Sequence, residues 1–470
     1  MQAMNNTEIQ EIYESQLAYK SVLKQCTVQQ RTSWLRLLKS AILCKEERIK
    51  EALYKDFRKN PFETESTELL PVLLEINHFL KKLPRWMKPK KAALSLLFAS
   101  TAAYTVFEPK GNTLIITPWN YPFQLPMVHL IASICAGNTV ILKLSEFTPN
   151  INSIIEEIIG EVFERRHVAV VEGGVEETSY LLNLKFDHIH FTGSSKVGKI
   201  VMAAAAKHLA DITLELGGKS PVFVDRNVEL RDTVRNLIWA KFVNMGQTCI
   251  APDYLLVDEQ LKDALEKTLC EEMKAAFGDN PLQSIDLARI VNRQHFDRLK
   301  GYLDELRNGN ASLIYGGNHD AEALFVHPTI VTDVPEDCAL MQEEIFGPIL
   351  PIRYYKHVEE ALDFVNAKEK PLALYIFSKD KKYVSHVMQR TTAGGTTIND
   401  AMLHIMHPNL PFGGVNNSGI GQSTGYFGFK AFSHERSLLK ASAIPMSKFF
   451  WYPYSANSRN IMKWIRKFFQ

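Results

Sequence analysis

The chain has 470 residues, 46% apolar and 23% charged, an ordinary globular composition that is too long for one core and predicts two or three domains. Its 54 basic and 52 acidic side chains leave a net charge of +2, so bulk charge gives no reason to expect nucleic acid as a partner. No run of about 18 apolar residues occurs, MQAMNNTEIQEIYESQ has no apolar signal core, and none of six cysteines sits in a Cys-x-x-Cys pair, so a spanning helix, a leader, a disulfide framework and a zinc knuckle are not expected and a reducing, cytoplasmic setting is.

Residues 8–58 read as helices, with Leu, Ile and Trp recurring at three and four. Residues 92–111 are β-prone and read as an arm or hairpin ahead of the first sheet. From 112 to 225 short apolar strands alternate with helices: Thr113–Ile116, Thr139–Leu142, Val168–Val171, His188–Phe191, Ile212–Leu214 and Val222–Val224. One helix opens at TPNINSII, with Thr148 as N-cap and Pro149 at the first position; another opens at SSKVGK, with Ser194 or Ser195 as cap. The alternation predicts an α/β fold with a Rossmann-like, doubly wound parallel sheet, which binds ligands at the carboxyl ends of its strands. A second α/β stretch follows from about 226 to 400, and glycines make 394–421 rich in turns.

Four segments carry chemistry. In KFVNMGQTCIAPDY, Cys249 follows a small polar loop, where a thiol is either a reactive nucleophile or simply a buried cysteine. In ITLELGGKSP, Glu215 ends a strand before two glycines and is either a general base or an exposed turn glutamate. In ITPWNYPFQLP, Asn120 lies between a strand and a helix, placed to donate to an oxyanion or to shape a turn. FTGSSKVG opens a helix after a strand and suits a pyrophosphate, although it is not the G-x-G-x-x-G fingerprint.

Together these segments resemble the aldehyde dehydrogenase superfamily, and more narrowly its class 3, a short dimeric group acting on apolar aldehydes. EGGVEET, VMAAAAKHL, GQTCIAPDY, EEIFGPILPI and LPFGGVNNSGIG add to the likeness, which spans roughly residues 10–440. The resemblance implies Cys249 as the catalytic thiol, Glu215 as the general base, and Asn120 with the Cys249 backbone N–H as the oxyanion hole. It implies Lys143 and Glu146 at the adenosine ribose, Gly193 and Ser194 at the pyrophosphate, and Glu344 and Phe346 at the nicotinamide ribose and ring. Tyr121, Trp239, Met245, Ile250 and Phe412 are expected at the substrate tunnel, although Trp239 is as readily core packing. The cofactor implied is NAD, with NADP also accepted by some relatives, and the assembly a homodimer. The domains expected are a cofactor domain over 1–92 and 112–213, a catalytic domain over 214–398, bridging and oligomerisation segments over 93–111 and 399–440, and a tail over 441–470. Leu144 replaces a usual proline, Met245 replaces a small polar residue and should tighten the mouth of the site, and QSTGYFGF at 422–429 replaces the usual run there.

His188 and His190 alternate on one strand and face one side, but no third ligand is legible, and no metal is expected. The tail is free of acidic residues from Ala441 onward. A helix over Ile461–Phe469 would gather Ile461, Met462, Trp464, Ile465, Phe468 and Phe469 opposite Lys463, Arg466 and Lys467. Such a face lies on a membrane surface or packs on protein. The reaction expected is oxidation of an apolar aldehyde to a carboxylic acid. A CoA-acylating enzyme is disfavoured by Glu215, and a non-catalytic binding protein by the full set of site residues.

Overall fold

The computed structural model describes residues 4–94, 98, 101–441 and 446–468. Its first sheet has six strands in the order Gly419–Ile420, Asp211–Leu216, His188–Gly193, Asn112–Ile116, Thr139–Lys143, Val168–Val171. The last five are parallel, and Gly419–Ile420 pairs antiparallel with Glu215 and Leu214. Alternate side chains face opposite layers. Leu114 and Ile116 share a core with Ile9 and Ile12 of helix Asn6–Lys24, whereas Ile115 shares one with Met127 and Ile131 of helix Gln124–Ala136. Every residue of Gln124–Ala136 is buried, as its all-round apolar sequence requires.

The strand Pro221–Val224, read from sequence as continuing the first alternation, belongs to the second sheet. It pairs with Tyr254–Asp258 on one side and Ala373–Phe377 on the other. Gly217 and Gly218 carry the chain across, so Glu215 stays in the first sheet, opposite Gly419. The second sheet has seven strands, six of them parallel. Ala102–Pro109, within the expected arm, pairs antiparallel with Lys90–Lys91 and Ser433–Lys440 in a separate three-stranded sheet. In the tail, a helix runs from Ala456 to Phe468, and Phe469 lies outside the described residues.

A layer of helices over residues 46–86 covers the face of the first sheet that carries Gln124–Ala136, and it caps other segments with carboxylates. Asp56 accepts from the backbone N–H groups of Asn150 (3.1 Å) and Ile151 (3.0 Å), at the start of helix Pro149–Val162. Thr148 occupies the cap position there but makes no cap bond, because the carboxylate is the stronger acceptor and already stands over the helix end. Glu68 accepts from Phe123 (3.2 Å) and Gln124 (2.9 Å), where helix Gln124–Ala136 has no cap of its own. Glu68 sits in a single π turn, Glu65–Leu69, and is fully buried with Lys59, whose Nζ donates to it at 2.6 Å. Glu63 accepts from the N–H of Asn244 at 2.9 Å, and Glu75 from that of Gly425 at 2.7 Å.

Burial pushes the Glu63 and Glu75 carboxyls up to about 7. A carboxyl whose folded value lies above its unfolded one favours the folded state most at low pH. That contribution is complete below about 4.5 and is lost as pH rises through about 7. Glu75→Gln keeps an acceptor for Gly425 and cannot ionise. The urea midpoint of wild type relative to this variant should therefore fall between pH 4.5 and 7.5. A difference that stays flat with pH would show that Glu75 does not titrate in this range.

Candidate active site

Cys249 follows an inverted turn. Helix Leu230–Phe242 ends in Val243–Gly246, where Asn244 (φ 52°), Met245 (φ 54°) and Gly246 (φ 72°) are successively left-handed. Two non-glycine residues there cost of order 1 kcal/mol or more each. Hydrogen bonds hold the turn against that cost. Asn244 Nδ2 donates to the carbonyls of Asn120 (2.8 Å) and Gln247 (3.2 Å). Gln247 Nε2 donates to Asn244 O and Arg289 O, both at 3.0 Å, and its Oε1 accepts from Val291 N. A side chain at Gly246 would collide with the carbonyl of Gly347.

Asn120 is brought to this loop as the sequence suggested. Its Nδ2 donates to Gln247 O at 3.0 Å, leaving a second N–H on the same nitrogen. Tyr121 hydrogen-bonds Thr248 Oγ1 at 2.8 Å, and Lys59 Nζ stands 4.4 Å over its ring. The Glu68–Lys59 pair therefore fixes both the helix after Asn120 and the ring beside it. Lys59, Glu68, Asn244 and Gln247 were not singled out by the sequence reading.

Cys249 is half-buried and free. Burial raises its pKa strongly, and the carboxylates of Glu344 and Glu215 raise it further, against the backbone N–H groups of Cys249 and Ile250. The resting residue is thus a thiol. Burial and the charge of Asp253 push the Glu344 carboxyl itself up to about 8.

Glu215 is 3% exposed and faces away from solvent into a polar pocket. Ser423 Oγ donates to its Oε1, and Thr192 Oγ1 lies 3.4 Å from Oε2. His129 Nε2 stands 3.5 Å from Oε2 and His190 Nε2 3.9 Å from Oε1. Burial alone would raise this carboxyl. His129, then His190 and the Ser423 hydroxyl outweigh it and hold the group at about 2. In this position Glu215 is ionised but a weak base. The sequence reading paired His190 only with His188 and did not find His129 or Ser423. A histidine within an otherwise apolar helix was the available signal for His129.

The residues expected at the cofactor lie at carboxyl ends of first-sheet strands or beside Cys249. Lys143 ends its strand, 3% exposed, and donates to the carbonyls of Leu144 (2.7 Å) and Gly173 (2.6 Å), keeping one donor in reserve. Burial lowers its pKa. Glu146 is exposed, with its carboxylate beside Gly174. Gly193 ends the strand His188–Gly193, where a Cβ would meet the Phe191 ring at 2.5 Å. Ser194 caps helix Ser195–His208, accepting from Val197 N, and the first N–H groups of such a helix suit a diphosphate. Glu344 packs so close to Gly217 that a side chain there would clash. Phe346 stands edge-on to Trp119 at 5.4 Å with its backbone left-handed (φ 44°). A bare glycine edge, a helix N-terminus and a lysine with a spare donor fit a dinucleotide.

The expected substrate residues divide. Ile250 and Phe412 are buried in an apolar cluster with Val243 and Met402, and Cys249 and Ile405 pack against it. Tyr121 borders the loop through Thr248. Met245 does not reach the mouth of the site: the left-handed turn directs it into the main core, fully buried. Trp239 is 43% exposed on the outer side of its helix.

The aldehyde dehydrogenase family model matches residues 1–438. The chain is 41% identical to 4,4'-diaponeurosporen-aldehyde dehydrogenase of Staphylococcus aureus, over 98% of this chain and 99% of that one. It is 42% identical to aldehyde dehydrogenase family 3 member A2 of Rattus norvegicus, over 93% and 89%. A structure described as the substrate-bound state of Staphylococcus aureus AldH superposes with a TM-score of 0.93, at 40% identity over 98% and 99% of the two chains. A Methanocaldococcus jannaschii glyceraldehyde-3-phosphate dehydrogenase GapN complexed with NADP gives 0.84, at 27% identity over 94% and 96%. The chain belongs to the aldehyde dehydrogenase family and is an NAD(P)-dependent aldehyde dehydrogenase similar to class 3 members.

The carboxylates beside Cys249 give a direct test of its electrostatics. In cofactor-free Glu344→Gln, alkylation of Cys249 by iodoacetamide, followed by peptide mass, should shift to lower pH than in wild type. An unchanged profile would remove Glu344 as a cause of the raised thiol.

Proposed function

We propose that the enzyme oxidises medium or long-chain aliphatic or aromatic aldehydes to free carboxylic acids, with NAD preferred. The observation that carries the substrate class is the packing of Cys249 on the cluster of Ile250, Phe412, Met402 and Ile405. The S. aureus relative is named for a 4,4'-diaponeurosporen aldehyde, which agrees with this reading. Glu146 supports NAD, because a carboxylate accepts from ribose hydroxyls and repels a 2′-phosphate.

In the mechanism proposed, the Cys249 thiol gives its proton to solvent and the sulfur attacks the aldehyde carbon, forming a tetrahedral thiohemiacetal. Asn120 Nδ2 and the Cys249 backbone N–H hold its oxyanion. The nicotinamide cofactor, when bound, accepts the hydride that leaves this carbon. A thioester on Cys249 remains, and Glu215 takes a proton from the water that releases the acid and restores the thiol. Lys143, Glu146, Gly193, Ser194, Glu344 and Phe346 would hold the cofactor, which would supply the hydride acceptor. A second reading has Glu344 share the base role, because its carboxyl, at about 8, is the better proton acceptor of the two.

Cys249→Ala should abolish turnover while still binding cofactor. Glu215→Gln should give a pre-steady-state burst of reduced cofactor and then stall, whereas Glu344→Gln should continue past the burst. A Glu344→Gln variant that stalls while Glu215→Gln turns over would transfer the base role to Glu344.

The tail helix Ala456–Phe468 places Ile461, Met462 and Trp464 at 36–68% exposure on this chain, beside Lys463, Arg466 and Lys467. No helix among the described residues is long and apolar enough to cross a membrane. The enzyme works as a homodimer, with the tail lying on an anionic membrane surface from which apolar aldehydes arrive. Full-length protein should co-sediment with anionic vesicles at low salt, and a chain ending at Met446 should not. If neither binds and the truncated form changes its dimerisation or chain-length preference, the tail packs on protein instead.

A further inference from the structure

His129 and His190 are enclosed beside Glu215, and the proposed reaction uses neither. They are 2% and 0% exposed. They reach the pocket from different elements, the buried helix Gln124–Ala136 and the strand His188–Gly193. Their ring centroids lie 3.8 Å apart, and Phe432 stacks against His190 at 5.8 Å. Both Nε2 atoms and the Nδ1 of His190 are buried without a hydrogen-bond partner. Buried polar atoms are rarely left so.

The spacing around Glu215 is also not that of hydrogen bonds. His129 Nε2 stands 3.5 Å from Oε2 of Glu215 and His190 Nε2 3.9 Å from Oε1, the two histidines facing different oxygens of one carboxylate. Two ligand atoms about 2.1 Å from a four-coordinate zinc ion lie about 3.4 Å from each other. One atom from each of His129, His190 and Glu215 falls within 4.8 Å of the others. Two imidazoles and a carboxylate form a ligand set suited to zinc, with the fourth position left to water or the Ser423 hydroxyl.

We propose that His129, His190 and Glu215 bind a divalent transition-metal ion of the zinc type, and that this ion arrests the enzyme after acylation. The ion takes one lone pair from each imidazole and one from the carboxylate. Any proton on those groups passes to solvent, and no bond to carbon changes. A carboxylate so held cannot activate water. This second clause rests on the reading of Glu215 as the base, and the binding clause does not.

Binding is measured with Co²⁺ on Cys249→Ala, which removes the competing thiol. One equivalent should bind and give the visible bands of four-coordinate cobalt without thiolate charge transfer. His129→Leu and His190→Leu in that background should weaken uptake roughly tenfold or more. Glu215→Gln, which preserves shape, serves where a histidine variant does not fold. Absence of this spectrum, or equal uptake by every folded variant, overturns the site. With Zn²⁺ on the wild-type enzyme, the burst of reduced cofactor should persist while steady turnover falls, with recovery on chelation. Specific cobalt binding with zinc-insensitive turnover would leave the metal site standing and refute the role of Glu215.

Discussion

Buried and half-buried carboxylates accepting backbone N–H groups are the interaction on which this site depends. Asp56, Glu63, Glu68 and Glu75 come from one run of helices, and each ends on a segment close in sequence to a residue of the proposed site. Glu68 holds the helix that follows Asn120, Glu63 the turn before Cys249, and Asp56 the helix that follows Glu146. Glu75 holds Gly425, two residues past Ser423. A charged acceptor gives short, strong bonds in a dry interior, but it must itself be compensated. Lys59 supplies that compensation for Glu68, while Glu63 and Glu75 are compensated in part by holding protons near neutrality.

The same interior sets the states of the two reactive groups. Cys249 rests as a thiol beside Glu344 and Glu215, and Glu215 rests as a carboxylate beside two imidazoles. Cys249 is therefore held in its less nucleophilic form, and Glu215 in the ionised form a base needs but with its basicity reduced. A thioester step that uses Glu215 needs that side chain to exchange the Ser423 hydroxyl for water.

The five parallel strands of the first sheet, a second α/β stretch after it, and the loop at Cys249 and strand end at Glu215 were legible because short apolar runs and glycine turns are local signals. The rest was hidden for physical reasons. Asp56, Glu63, Glu68 and Glu75 read as ordinary solvated helix charges, since nothing local marks the N-terminus each will meet. Thr148 looked like a cap because local rules do not know that Asp56 arrives from another helix. Met245 was placed at the mouth because three left-handed residues in a row cannot be foreseen from their identities. His190 was weighed against its neighbour in sequence, His188, when its partner in space is His129, on a different element.

The capping arrangement also orders events in time. Residues 56–75 leave the ribosome first, carrying acceptors whose donors have not yet been made. Their donors then emerge in sequence, around 123, 150, 244 and finally 425. A nascent chain that has already made Cys249 still lacks Ser423 and the anchored turn at Gly425. The thiol thus exists before the pocket around Glu215, which closes only once the chain past Gly425 has been made.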